Sequence, residues 1–219
     1  MSGPGSGLLS RVLNRGFRRY VRRFIGSNFN AARVTGVEHL LSLGEGPVLI
    51  YVNHPGWWDP MSAVLLTDLL MSERQFAAPM DADALKRYPI LERLGFFGVS
   101  RDSTAGAREF LRTARTVLQD SRTALWMTPT GRFHDVRQAL PFQPGLAHLV
   151  DPDFAGTVLP VALEYPFWNE RRPELLVACG PPVNCSQLSA DRESRTRQLE
   201  AALLEVQTHL RDLAIARDP

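Results

Sequence analysis

A chain of 219 residues, 44% hydrophobic and 22% charged, is long enough for one domain with a sizeable core and has an ordinary globular composition. A net charge of +2 gives no long-range steering toward nucleic acid, so nucleic acid is not expected as a partner. No apolar run reaches the roughly 20 residues that a membrane-spanning helix requires.

The first seven residues, MSGPGSG, read as flexible, and residues 8 to 30 as a basic amphipathic helix. Leu9, Val12, Leu13, Phe17, Tyr20, Val21 and Phe24 fall on one face. Arg11, Arg15, Arg18, Arg19, Arg22 and Arg23 occupy the other, and no acidic residue precedes Glu38. That pattern predicts a helix lying in a membrane interface, with the protein cytoplasmic and held peripherally on the inner face of a membrane. The alternatives are a helix packed on the core and an organelle transit peptide. Residues 1–30 are expected to be separable from a domain spanning 31–219, whose strands begin later.

ARVTGVEHL then reads as a strand leading into a loop, and PVLIYV (Pro47 to Val52) as a short buried strand. Asn53, Pro55 and Gly56 break regular structure, and Asp59 followed by Pro60 opens a helix as N-cap and first helical residue. ERQFAAPM is a strand and DALKRYPILERLG a short helix ended by Gly95. FFGVSRD is a strand, and Ser103 caps a helix through AGAREFLRTARTVLQD. TALWMTPTGRF is a strand entering a turn, QPGLAHLV a short helix, and TVLPVALEY and PELLVACGPPV are two more strands. A last helix runs from about 190 to 217, with Leu199, Leu203, Val206, Leu210 and Leu213 as one apolar seam, for its own domain or for a dimer coil. Strands alternating with helices predict an α/β fold with a mostly parallel central sheet flanked by helices, and ligands at the carboxyl ends of its strands.

His54 leaves the end of one such strand and Asp59 opens the next helix. A carboxylate against one imidazole nitrogen fixes the tautomer, so the other nitrogen can take a proton from a hydroxyl or amine. The plainer reading makes Asp59 only a cap and His54 only a polar strand terminus. Cys179 and Cys185 lack metal or CxxC spacing, which predicts reduced thiols, and no metal site is expected. Lys86, the only lysine, lies far from these junctions.

With the junctions laid out, residues 35 to 180 resemble the glycerolipid and lysophospholipid acyltransferase superfamily in four ordered blocks. NHPGWWDP is similar to its Asn-His-x4-Asp block, which implies His54 as general base and Asp59 as its partner. GFFGVSR resembles the second block, with Gly98 where Phe is usual, and implies that Arg101 binds the acceptor. TPTGRF resembles Phe-Pro-Glu-Gly-Thr-Arg, and VLPVA the buried strand with a proline near the acyl site. The third block departs from the pattern: Thr130 stands where the family has glutamate, and one residue is missing between Gly131 and Arg132. That glutamate serves the glycerol-phosphate acceptor, so the substitution predicts an acceptor other than a standard lysophosphatidate.

The resemblance implies an acyltransferase of lipid metabolism that uses acyl-CoA or acyl carrier protein as co-substrate and no cofactor, with membrane lipids as partners. Asn53, Gly56, Arg101, Thr130, Gly131 and Arg132 are the expected substrate-binding residues, and backbone N–H groups near Gly56 or Gly131 the expected oxyanion donors. Trp57, Trp58 and Pro160 are candidates for the acyl groove. The rivals are a catalytically silent lipid-binding or scaffold protein of the same fold, and an acyltransferase for an amine or a glycosylated lipid.

Overall fold

Val48–Val52 is a run of five buried residues, and its place in the fold explains why it is apolar throughout. In the computed structural model, which describes residues 8–100, 103–139 and 141–217, with side chains from residue 12 onward, this segment is the centre of a seven-stranded sheet. The strands are β1 (Ala32–Thr35), β2 (Val48–Val52), β3 (Gln75–Asp81), β4 (Phe96–Val99), β5 (Thr123–Met127), β6 (Thr157–Glu164) and β7 (Leu175–Cys179), in the order β1-β7-β6-β2-β5-β3-β4. β2 pairs in parallel with β5 and β6. Helices cover both faces, so neither side of β2 meets water.

The expected mostly parallel sheet is present, with one reversal that the sequence reading did not anticipate. β7 pairs antiparallel with β6, and β1 follows β7 in parallel. Only residues 165–174 join β6 to β7, without a helix, and a parallel return needs a crossover of a dozen residues or more. Two shorter segments also differ. The loop after β1 is a helix, α2 (Val37–Leu41), and the segment expected as one helix before Gly95 divides into α4 (Ala82–Arg87) and a 3-10 turn (Pro89–Leu94). Pro89 disfavours a helical Tyr88, which has φ −129° and ψ 68°. Gly95 ends the turn at φ 101°, where a Cβ would come within 2.2 Å of the Phe76 carbonyl oxygen.

One sheet face, with Ile50, Val52, Trp126 and Val161, is covered by α1 (Leu8–Asn28) and α3 (Asp59–Leu70). The other, with Leu49, Tyr51, Leu125 and Val158, is covered by α5 (Thr104–Val117), α6 (Gly145–Leu149) and α7 (Arg192–Ala216). α7 packs on its own sheet, against β6 and β7. Its seam ends at Ala214 rather than Leu213, which is 44% exposed, because the helical period carries the buried stripe from Leu210 by four residues.

Part of the apolar face of α1 is turned toward the core. Val21 and Ile25 are buried in the same cluster as Ile50 and Ala63, with Phe17 and Phe24 packed against it. Arg18 and Arg22 both reach Asp68 at the far end of α3, at 3.3 and 2.5 Å. Part of the apolar stripe therefore packs into the core. Its outer side keeps Arg15, Arg19 and Arg23 exposed, beside Tyr20 and Val12 at 52% and 61% exposure.

The reversed strands are clamped at Glu174, a buried carboxylate just before β7. It accepts from Arg33 Nε at 2.6 Å and Asn30 Nδ2 at 3.2 Å, and Arg217 lies 2.6 Å away. Burial alone would raise the pKa of this carboxyl, but the hydrogen bonds from Arg33 and Asn30 outweigh it and hold it below the ordinary glutamate value. A group depressed on folding stabilises above its unfolded pKa, and that stabilisation is lost as pH falls through the folded value. Glu174→Gln is therefore expected to lower Tm at pH 7, with the difference from the parent shrinking as pH falls below about 4, in paired thermal melts across pH.

Candidate active site

β2 stops at Val52 because the next residue replaces ladder hydrogen bonding with its side chain. Asn53 is buried, its Nδ2 donates to the Leu163 carbonyl at 2.9 Å, and its Oδ1 accepts from Leu163 N–H at 2.7 Å. The chain is thereby fixed to β6 one residue before His54. Pro55 and Gly56 turn it, and α3 starts at Asp59, with Trp58 as the N-cap and Pro60 inside the first turn. The helix start expected at Asp59 is thus shifted by one position, and the Asp59 side chain has another use.

Asp59 is buried and its two oxygens take three donors. Oδ2 lies 2.5 Å from His54 Nδ1 and accepts the Gly56 N–H at 3.2 Å. Oδ1 accepts from Tyr165 Oη at 2.7 Å, and Ser62 Oγ lies 3.0 Å from the same phenol. With Nδ1–H bonded to the carboxylate, Nε2 of a neutral His54 ring carries the lone pair. The His54 side chain is 19% exposed, and its ring contacts Phe133 with centroids 4.3 Å apart. Phe133 belongs to the loop after β5, which His134 N–H ties to the His54 carbonyl at 2.9 Å. The arrangement can take a proton from a group presented at the carboxyl end of the sheet.

Residues 31–164, more than half of the chain, match the family model described as Acyltransferase. The chain belongs to the Acyltransferase family. It is an enzyme that transfers acyl groups, and a silent scaffold is not the reading that this membership favours. The fold is similar to the crystal structure of the 1-acyl-sn-glycerophosphate (LPA) acyltransferase PlsC from Thermotoga maritima, with a TM-score of 0.64 and 16% identity over 96% of this chain and 83% of that one. A search of curated proteins gave no match.

Within this acyltransferase, the residues expected to bind substrate have several different fates. Asn53 spends its side-chain amide on the Leu163 backbone. The Gly56 N–H is bonded to Asp59 and the Gly131 N–H to the Thr128 carbonyl, so neither is free for an oxyanion. Thr130 is buried, and its hydroxyl donates to the Arg132 carbonyl at 2.9 Å, bracing the turn in which Gly131 takes φ 68°. Arg132 is exposed, and no ion-pair partner for its guanidinium is found among the described residues. Arg101 lies outside the described residues.

The three candidates for the acyl groove also separate. Trp57 is 84% exposed beside Phe133. Trp58 packs edge-on against Phe29 and Tyr165, as a core residue does. Pro160 is buried in the wall of a cavity of about 320 Å³ shared with Cys179, Gly180 and Val206 of α7, so it does not join the dyad. A second cavity of about 200 Å³ lies between Arg33, Trp168 and Leu210. Neither hollow is lined by His54 or Asp59, and the paired proton-transfer groups mark the site more securely than volume does.

Tyr165 is the site residue that the sequence reading passed over. Its signal was slight, an aromatic hydroxyl one residue past a buried strand whose carboxyl end was already expected to border the site. Burial first, then the Asp59 carboxylate, hold its phenol well above the ordinary tyrosine value, so it remains a proton donor.

The fate of Asn53 has a measurable consequence. Asn53→Ala leaves the Leu163 N–H and carbonyl buried without partners, at roughly 1–3 kcal/mol for each. Stability and kcat are expected to fall together in denaturant melts and turnover assays, whereas a substrate-binding asparagine would change KM at constant stability.

Proposed function

We propose that the enzyme moves a fatty acyl group from an acyl thioester, carried on CoA or on acyl carrier protein, to a hydroxyl of a membrane lipid. The observation that carries this reading is the His54 ring bonded to Asp59 through Nδ1, in a block that lies inside the family match. Nε2 takes the acceptor proton as the oxygen attacks the thioester carbonyl, while Asp59 supports the imidazolium that forms. When the tetrahedral intermediate collapses the carbon–sulfur bond breaks, and the proton passes from Nε2 to the departing thiolate. Direct transfer is favoured because neither thiol suits a nucleophile. Burial and the nearby Glu38 push Cys179 up to about 12, and burial followed by Asp151 also raises Cys185.

The acceptor is not a standard lysophosphatidate. The position where the family carries glutamate is the buried Thr130, whose hydroxyl is spent on its own turn, so no carboxylate serves an acceptor there. Arg132 is the exposed cation of this loop and suits an anionic part of donor or acceptor. An amine or a glycosylated lipid hydroxyl is served by the same base and is the second acceptor class to test.

The enzyme works from the cytoplasmic side as a peripheral membrane protein. Among the described residues no helix is long and apolar enough to cross a bilayer. Arg15, Arg19 and Arg23 on the outer side of α1 support attraction to an anionic leaflet, at about 1 kcal/mol each.

The test is purified protein with labelled acyl-CoA or acyl carrier protein and vesicles of total lipid. His54→Ala is expected to lose roughly 10²–10⁴-fold in acyl transfer at unchanged Tm; near-parental turnover overturns the mechanism. Lysophosphatidate and glycerol 3-phosphate are expected to be poor acceptors in the same assay. Turnover with lysophosphatidate equal to that of the best lipid acceptor rejects this assignment of Thr130.

A further inference from the structure

We infer that Tyr165 is a positioning residue of the acyl-transfer site, acting on His54 through Asp59, with Ser62 setting its phenol. The inference rests on the reading of His54 as the general base and adds to it the group that holds the carboxylate.

The geometry divides the work between the two Asp59 oxygens. Oδ2 is taken by His54 and the Gly56 N–H, which belong to the same turn and orient the carboxylate from one side only. Among the described residues Oδ1 has one partner, the Tyr165 phenol, which arrives from the end of β6, a separate part of the fold. The Tyr165 proton goes to the carboxylate, so the 3.0 Å contact with Ser62 runs from the Ser62 hydroxyl to the phenol oxygen. Ser62 lies one turn into α3 and is fully buried, and the Tyr165 ring is wedged against Phe29 and Trp58. Phenol and carboxylate are thus both held, and the Asp59 plane cannot swing away from Nδ1. The phenol also draws charge from a carboxylate that must support an imidazolium. Removing it leaves Oδ1 buried without a donor, which strengthens the pull of Asp59 on the His54 proton.

The titratable or charged groups beside the site are His54, Asp59, Arg132, His134, the Asp135–Arg137 pair and Glu164 at the end of β6. Further along the same elements, Asp68 of α3 is paired with Arg18 and Arg22, the segment after Tyr165 carries Glu170, Arg171 and Arg172, and Glu174 is paired with Arg33 and Arg217. Tyr165→Phe removes the phenol from Asp59 alone among these carboxylates and cations, and keeps the ring on Phe29 and Trp58.

The test follows kcat, KM and the pH profile of kcat/KM for the parent, Tyr165→Phe, Asp59→Asn and the double variant, with His54→Ala as reference and Tm as the fold check. Tyr165→Phe is expected to lose roughly tenfold or more in kcat, the scale of one lost hydrogen bond to a charged group. KM for the acyl donor stays near the parent value, and the acidic limb of the profile moves to higher pH. In the Asp59→Asn background the same change is expected to have little further effect. A Tyr165→Phe enzyme with parental kcat and an unmoved limb, or full additivity with Asp59→Asn, overturns the positioning role while an inactive His54→Ala enzyme leaves the general base standing. A fully active His54→Ala enzyme removes the underlying reading, and this inference with it.

Discussion

The site depends on how two strands are stopped together. The Asn53 side chain clasps the backbone of Leu163, so β2 and β6 end in fixed register. One residue past the clasp on β2 comes His54, and two residues past it on β6 comes Tyr165. Both then reach the same buried carboxylate, from opposite sides. A backbone hydrogen bond could have closed the ladder equally well, but it would have continued the strand. An asparagine amide satisfies Leu163 while releasing its own main chain into the Pro55–Gly56 turn. The cost of losing it is high because the groups it covers are buried.

Acyl transfer needs little from the protein beyond a positioned base, a path for the leaving group and a held acceptor. Here the carboxylate beside His54 is held on both of its oxygens. Asp59 has donors from a turn and from a distant strand end, whereas the loop that the family uses for a charged acceptor offers a hydroxyl already consumed internally. Its Phe133 is half-exposed and meets the exposed Trp57 of the turn after β2, and its Arg132 is exposed.

Most of the architecture was legible because β2, β5 and β6 are nearly uniform apolar runs bounded by proline, glycine and polar residues, and such runs have few other readings. The direction of β7 was not read, since strand pattern carries no sense of direction. Only the shortness of the 165–174 connection contained that information. The fate of α1 was ambiguous for a physical reason. A stripe of Phe17, Val21 and Phe24 seeks any apolar partner, and periodicity cannot distinguish a bilayer from the flank of α3. The pair of His54 and Asp59 was legible from spacing, because both lie within one turn. Tyr165 was not, as its link to Asp59 spans 106 residues and exists only once β2 and β6 are neighbours. The internal bonds of Gly56 and Thr130 were not legible for a related reason, because sequence shows a donor without showing what has already accepted from it.

The reversal of β7 and β1 sorts the connecting segments between two rims of the sheet. Segments that follow β2, β5 and β6 open on the rim where His54 stands, and so do the segments that lead into the two reversed strands. Phe29 comes to lie against Trp58 and Tyr165 in this way although it precedes β1. The turns that leave β1 and β7, at Gly36 and at Gly180 to Asn184, open on the opposite rim. Chain inserted there would lengthen the molecule without reaching the chemistry, whereas a single residue added between Phe29 and Ala31 would displace an aromatic wall of the site. Sequence drift within this fold should therefore be uneven, permissive along one rim and narrow along the other.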